Sequence, residues 1–382
     1  MIAQWDVVIA GAGPCGSYVG GRLSEAGLRV LVLEKKVKKG LKACTGIVGV
    51  EAFERFPLPK SSILSEVRSI RIFSPSKRSL TYRSNTPLAY VCDRSALDES
   101  MVLWAEERGI TLRRGVKVLC AERRSSHLEI RIRDLVAAKE DRAFARLLVV
   151  ASGYSPSLLF SLGLGPYGGT VEGAQAIVAV RGGLDCLLPD GPEVYVGRNV
   201  APSGFAWAVP VDSSTARIGV ITNQKAHLFL RQFLSSLPYG QGASIRLARK
   251  TIPDGPIAKT FGDRMLVVGE AAGQLKATTY GGIYYGLLSS EHAVDTIIEA
   301  FHRGDLSEKM LSSYEEAWRK TIGGEILLQS FFRKRLMGMD DAGIDRLFAI
   351  LGRDGLISKL SSVIRFDWHG DIISLLRSIL HL

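Results

Sequence analysis

Glycines at positions 11, 13 and 16, followed by an acid at position 34, form the pattern in this chain that most directly implies chemistry. The run Gly11-Ala12-Gly13-Pro14-Cys15-Gly16 has G-x-G-x-x-G spacing. Gly11 suits a tight turn, Gly13 lets backbone approach a pyrophosphate, and Gly16 lets the next helix pack on the preceding strand. The N-terminus of that helix offers unpaired N–H groups and partial positive charge to a phosphate. Glu34 can accept hydrogen bonds from both hydroxyls of an adenosine ribose. A second run of this spacing, Gly163-Leu164-Gly165-Pro166-Tyr167-Gly168, has no strand before it and no helix after it, and reads as a loop. One dinucleotide fold rather than two implies a resident cofactor rather than a separate nicotinamide domain.

The elements that must hold these residues surround them. Residues 5–10 are apolar and read as a buried strand, residues 17–26 as a helix stopped by Gly27, and residues 30–33 as a second strand carrying Glu34 at its tip. Residues 93–108 read as a helix with Leu97, Met101, Trp104 and Ala105 on one face. Alternating strands follow at 116–120, 127–133 and 144–150, the last ending in Ala151-Ser152-Gly153, and again at 176–180, 193–197, 205–211 and 216–222. The apolar strand 265–268 runs into Gly269-Glu270-Ala271-Ala272-Gly273, and Gly281-Gly282 opens a helix from Ile283 to His302. Beyond Gly304 the spacing is helical. Met310, Tyr314, Trp318 and Ile322 form one stripe, Ile344, Leu347, Phe348 and Leu351 another, and Ile372, Leu375, Leu376, Ile379 and Leu380 a third, with Asp371 as its N-cap.

Composition bounds the rest. The 382 residues are 46% hydrophobic and 23% charged, which is globular and excludes disorder as the main state. With 49 Lys+Arg against 38 Asp+Glu the net charge is +11, which favours anionic partners: phosphorylated ligands, acidic lipid surfaces or acidic proteins. No apolar run approaches the ~20 residues of a spanning helix. The first residues lack the basic and long apolar regions of a signal peptide. Cys15, Cys44, Cys92, Cys120 and Cys186 are odd in number and scattered, which disfavours a disulfide framework and fits a reducing cytosol. No metal site and no nucleic-acid module is expected.

Three separated signals agree in order and spacing: the opening strand–helix–strand, Arg94 heading Arg94-Ser95-Ala96-Leu97-Asp98, and the Gly269–Gly273 run with Gly281-Gly282-Ile283. Together they resemble the FAD-binding core of the glutathione-reductase/p-hydroxybenzoate-hydroxylase superfamily. Lys42-Ala43-Cys44-Thr45-Gly46-Ile47, Gly204-Phe205-Ala206-Trp207-Ala208-Val209-Pro210 and residues 270–285 further resemble the geranylgeranyl reductase family, as does the helical C-terminal region. The chain departs from that family at Glu270, where Asp is usual, at Phe205 for Tyr, at Val209 for Phe, and at Ser152 for Asp.

The resemblance implies an α/β fold class: a glutathione-reductase-type FAD-binding fold with a parallel sheet, a second, mostly antiparallel-sheet substrate domain, and a helical C-terminal region. The expected boundaries are 1–72, 87–165 and 256–305 for FAD binding, 73–86 and 166–255 for substrate, and 306–382 for the helices. It implies FAD contacts from the Cys15 N–H, Glu34, Thr45, Gly46, Arg94, Val118, Glu270, Gly282 and Ile283, which join Gly11, Gly13, Gly16, Lys35, Gly153 and Gly269 as the expected cofactor site. Cys44 is the catalytic candidate beside the flavin; its bland alternative is a small buried hydrophobe. Phe205, Trp207 and Pro210 are the expected substrate wall, although core packing needs the same residue types.

The implied activity is reduction of C=C bonds in geranylgeranyl chains of archaeal membrane-lipid precursors, by hydride transfer from flavin N5. Electrons would come from an external donor such as ferredoxin or NAD(P)H. The enzyme would be cytoplasmic and peripherally associated with the membrane, through its charge and through Phe331-Phe332-Arg333-Lys334-Arg335-Leu336, which otherwise reads as an amphipathic helix packed on its own protein. The basic run Lys35-Lys36-Val37-Lys38-Lys39 reads as a solvated face. A menaquinone prenyl reductase shares every motif named. An electron-transfer flavoprotein making no saturated product, and a flavin hydroxylase, are the readings from other classes.

Overall fold

The computed structural model describes residues 4–38, 40, 42–179, 191–238, 245–353 and 364–380. Met1–Ala3, Lys39, Val180 and Cys186, and the side chains of Ile379 and Leu380, lie outside that description. The chain opens with β1 (Trp5–Ala10), α1 (Pro14–Glu25) and β2 (Val30–Glu34). β3 (Ile47–Gly49), α2 (Val50–Arg55), β4 (Ile63–Val67), β5 (Ser69–Phe73), β6 (Ser79–Arg83) and β7 (Ala89–Cys92) follow. Then come α3 (Arg94–Glu106), β8 (Thr111–Arg114), β9 (Val116–Arg123), β10 (Leu128–Asp134), β11 (Lys139–Val150) and α4 (Pro156–Ser161). Next are β12 (Thr170–Ala179), β13 (Glu193–Val196), β14 (Phe205–Pro210), β15 (Thr215–Thr222), α5 (Ala226–Ser236), β16 (Ile245–Pro253), β17 (Phe261–Gly262) and β18 (Met265–Val267). The remainder is helical: α6 (Ile283–Arg303), α7 (Glu308–Trp318), α8 (Gly324–Gly338), α9 (Asp341–Leu351) and α10 (Gly370–Leu380).

An eight-stranded sheet runs β17-β18-β11-β1-β2-β8, with β10 and β9 folded onto β11 as an antiparallel meander. The pairs from β18 through β11, β1 and β2 to β8 are all parallel. Residues 7–10 of β1, 30–33 of β2 and 147–150 of β11 are unbroken apolar runs because both faces there are covered. Val7, Ile9, Val30 and Val32 pack under α1, α3 and α6. Val8, Ala10, Leu31 and Leu33 pack against the meander and α4. α1 begins at Pro14, three residues before the expected Ser17, because Pro is suited to the first helical position.

The second sheet has seven strands in the order β16-β12-β15-β14-β13-β5-β6 and is antiparallel except between β13 and β5. It takes in β5 and β6, residues 69–83, from the first quarter of the chain. β3, β7 and β4 form a small third sheet.

The C-terminal helices are pinned to the first sheet by buried aromatic side chains. Tyr314 Oη donates to the Val267 carbonyl at 2.9 Å, and Trp318 Nε1 donates to Thr260 Oγ1 at 2.9 Å. Asp371 is not the N-cap of α10, because the helix begins one residue earlier. Its cap is long-range: Glu325 Oε1, from α8, accepts from the N–H groups of His369 (2.5 Å) and Gly370 (2.7 Å). A carboxylate at a helix N-terminus is favoured by both the unpaired N–H groups and the dipole. Replacing Glu325 by Ala should therefore cost about 1–2 kcal/mol of local stability. Faster amide exchange through the first turn of α10 checks this; unchanged exchange would mean the cap lies elsewhere.

Candidate active site

A single cavity of about 1200 Å³ runs from the Gly-rich turn to the C-terminal helices. That exceeds the ~300–1,000 Å³ of an ordinary small-molecule pocket, so there is room for a cofactor and a substrate together. Its first end lies at the carboxyl ends of the parallel strands. Gly11, Gly13, Cys15, Glu34, Lys35, Thr45, Arg94, Val118, Gly153, Glu270, Gly282 and Ile283 all line it, as does Cys44. The Glu34 carboxylate accepts from the N–H groups of Ala12 and Lys36, both at 2.9 Å, which fixes it at the tip of β2.

Four of the expected residues do not line the cavity. Gly16 backs onto the first turn, where a Cβ would lie 2.0 Å from the Gly11 carbonyl oxygen, so its role is packing. Gly46 has φ +78° and leaves room for Arg217, whose Nη1 would lie 1.9 Å from any Cβ there. Gly269 abuts the Cys15 sulfur. Pro210 fails by parity: Phe205, Trp207 and Val209 alternate toward the cavity, so the even positions of β14 face away, with Ala206 and Ala208 packed in the core beneath α5.

This end fits an FAD. The first turns of α1 and α6 have neither a side-chain cap nor an acidic residue, leaving their N–H groups open to an anion. A Cβ on Gly13 would meet nothing within 4 Å, so the backbone there faces open space. Arg94 Nε is buried without a partner. Glu34 stands where a ribose would lie.

Cys44 sits in a turn tied to both ends of the cavity. Its sulfur accepts from Arg94 Nη1 and from the Gly46 N–H, each at 3.4 Å. Arg94 also binds Asp98, which is shared with Lys42. The Lys42 carbonyl accepts from Gln175 (3.3 Å), whose own oxygen accepts from Trp207 Nε1 (3.3 Å). Burial opposes ionisation of the Cys44 thiol, but Arg94, the Gly46 N–H, Lys250 and Arg217 outweigh it and hold its pKa below the ordinary value. Cys15, by contrast, is pushed up to about 11 by burial.

The far end is apolar. Phe205 and Trp207, 5.9 Å apart between ring centroids, form one wall with Ile70 and Ile72 of β5. Phe332, Leu336, Leu347, Leu351, Ile372 and Leu376 of α8, α9 and α10 form the other. Period-2 spacing in 69–73 was the available signal for Ile70 and Ile72; the convergence of three helix stripes on one chamber has no local signal.

A strap, residues 364–369, closes the rim. Arg365 (2.7 Å), Trp368 (2.9 Å) and Tyr284 (3.0 Å) all donate to the Glu51 carboxylate. Burial works against that charge, but the three donors keep Glu51 below the usual carboxylate range. Lys276 and Asp367 form a buried pair at 2.9 Å. His369 is kept neutral, its pKa lowered to about 4 by burial and by Lys276. Its Nε2 donates to the Phe366 carbonyl, and its Nδ1 accepts from Thr278.

Arg333 corrects the expectation for the 331–336 segment. It is 7% exposed, bonded to Asp254 and Tyr280, and no part of a basic outer surface. The outer face of α8 instead carries Leu327 and Phe331, 73% and 47% exposed, beside exposed Lys334 and Arg335.

Residues 4–221 match the family model described as FAD binding domain. Digeranylgeranylglycerophospholipid reductase 2 of Methanothermobacter thermautotrophicus is 28% identical, covering 99% of this chain and 100% of its own. Digeranylgeranylglycerophospholipid reductase 1 of Methanococcoides burtonii is 26% identical, covering 90% of this chain and 86% of its own. The crystal structure of a geranylgeranyl bacteriochlorophyll reductase-like protein from Thermoplasma acidophilum superposes with a TM-score of 0.83 at 20% identity, covering 98% and 99% of the two chains.

Glu34→Ala removes a charged acceptor of the kind worth ~1.5–3 kcal/mol, so FAD affinity should fall by about 10- to 150-fold in a fluorescence titration of the apoprotein. Unchanged affinity would mean that the ribose is held by other groups.

Proposed function

The chain belongs to the FAD binding domain family, and from that premise we propose that it reduces C=C bonds of geranylgeranyl chains on archaeal membrane-lipid precursors. The observation that carries this reading is the continuity of one cavity from a dinucleotide end into an apolar chamber. The names of the full-length relatives point to the same substrate class.

FAD is the cofactor and, when bound, supplies the hydride. The protein binds, orients and excludes water. The open N–H groups of α1 hold the pyrophosphate and Glu34 holds the ribose. Arg94 and the N-terminus of α6 stabilise negative charge at the ring end. Phe205, Trp207 and the walls of α8, α9 and α10 receive the prenyl chain and exclude water. Cys44 Sγ holds the proton taken up by the alkene carbon that does not receive hydride, and a thiol with a lowered pKa is suited to that task near neutral pH. An external donor such as ferredoxin or NAD(P)H reduces the protein between turnovers.

The protein works from the cytoplasmic face of a membrane. Among the described residues no helix is long and apolar enough to span it. Leu327 and Phe331 enter the lipid surface from the outer face of the helix whose inner face lines the chamber, and neighbouring Lys334 and Arg335 meet anionic headgroups. Each such cation adds about 1 kcal/mol near the surface.

Incubating the reduced holoenzyme with a geranylgeranyl glycerophospholipid should add two hydrogens per saturated bond, read by mass spectrometry. Flavin reoxidation with no saturated lipid would instead favour an electron carrier, and activity confined to a prenylated quinone would move the substrate. Cys44→Ser should retain FAD but lower the rate or the number of bonds saturated; a wild-type product pattern would make Cys44 a packing residue. Leu327→Glu with Phe331→Glu should abolish low-salt co-sedimentation with anionic liposomes, and retention would place the docking face elsewhere.

A further inference from the structure

Arg217, on β15, is a buried cation. It is 9% exposed, and its Nη1 donates to the carbonyls of Thr45 (2.8 Å) and Cys92 (3.0 Å). Among the described residues no acid pairs with it. Removing a guanidinium from water with only two carbonyl partners is unfavourable, and the protein needs a reason to keep it there. Burial pulls the pKa of Arg217 down, while Cys44 and Asp93 act in the opposite direction.

The turn 44–46 lies directly against this group. Because position 46 has no side chain, the guanidinium packs against the turn backbone. Across the turn, Arg94 and the Gly46 N–H both donate to the Cys44 sulfur. Each of the other cations around the turn has a carboxylate partner. Lys42 and Arg94 share Asp98, Lys250 pairs with Glu270, and Asp93 caps the first turn of α3. Cys92, on β7, is a thiol pushed up to about 11 by burial and contributes no charge. Arg217 is therefore the cation beside the turn that no carboxylate among the described residues pairs with, and it adds to the positive charge that Lys42 and Arg94 leave over on Asp98.

We propose that Arg217 is a positioning residue for Cys44: through the carbonyls of Thr45 and Cys92 it clamps the 44–46 turn to the end of β7 and, with Arg94, stabilises the sulfur after it has lost its proton. The inference rests on the reading of Cys44 as proton source. In that step the S–H bond breaks as a C–H bond forms on the substrate. The negative charge left on sulfur is hydrogen-bonded by Arg94 and lies in the field of Arg217, and solvent restores the proton afterwards. Neither Arg217 contact is to the sulfur itself, so its action runs through charge and through the shape of the turn.

The test is the pH dependence of Cys44 alkylation by iodoacetamide, followed on the Cys44 peptide by mass spectrometry in the FAD-loaded protein with no lipid present. Wild type should show a midpoint below the value of about 8.5 for a free cysteine. Arg217→Gln keeps hydrogen-bonding capacity but loses the charge, and should raise the midpoint by about one pH unit or more. Arg217→Lys restores the charge and should return the midpoint toward wild type. A midpoint that does not move in Arg217→Gln, or that moves equally in Arg217→Lys, overturns the proposal. Should Arg217→Gln fail to retain FAD, a wild-type midpoint at or above that of a free cysteine overturns it, and a wild-type midpoint restored by Arg217→Lys supports it. Because the assay contains no lipid, its result stands apart from the substrate. A shifted midpoint with no lipid reduction would sink the proposed function and leave the role of Arg217 intact.

Discussion

Parallel pairing of β18, β11, β1 and β2 is the constraint on which the site depends. Ala10 stands opposite Val150 on one side and Leu33 on the other, and Val150 stands opposite Val267. Strands in parallel register end together, so Gly11, Glu34, Ala151 and Val268 arrive at one edge of the sheet although they are spread over more than half the chain. Open α/β sheets bind ligands outside the carboxyl ends of their strands for this reason. The chemistry-bearing residues are thus delivered by backbone hydrogen bonding, and their side chains need only short reaches.

The second sheet and the helices complete what the first begins. Alternation along β14 sends Phe205, Trp207 and Val209 to the cavity and Ala206 and Ala208 to the core, so one strand serves both. The strap combines polar contacts with apolar ones: Trp368 packs against Tyr284 and Tyr285, while Lys276 and Asp367 pair beneath it. A buried pair such as Lys276–Asp367 gains little net stability over a hydrophobic replacement, but it fails badly if either member is lost.

Much of this was legible from residue order. The opening strand–helix–strand, the helix that Asp93 caps, the strand into Gly269 and the long helix from Ile283 are all local patterns, and all are present, α1 starting three residues earlier than its periodicity implies. What was not legible depends on partners distant in sequence. Asp371 looks like a cap, but Glu325 holds that position from another helix. Arg333 looks like part of a basic surface, but Asp254 and Tyr280 draw it inward. Pro210 belongs to the right motif and points to the wrong side of its strand. Arg217 has no local signature, since its meaning comes from a turn 171 residues earlier that happens to lack a side chain at Gly46.

The division of the cavity along the chain bears on how the protein is made. The dinucleotide end is complete once β18 and the start of α6 are in place, while the opposite wall and the strap come from α8, α9, α10 and residues 364–369. A nascent chain released in N-to-C order therefore presents its cofactor trough before it has anything to cover it. The residues that shape the dinucleotide end are thus synthesised before those that wall the apolar chamber.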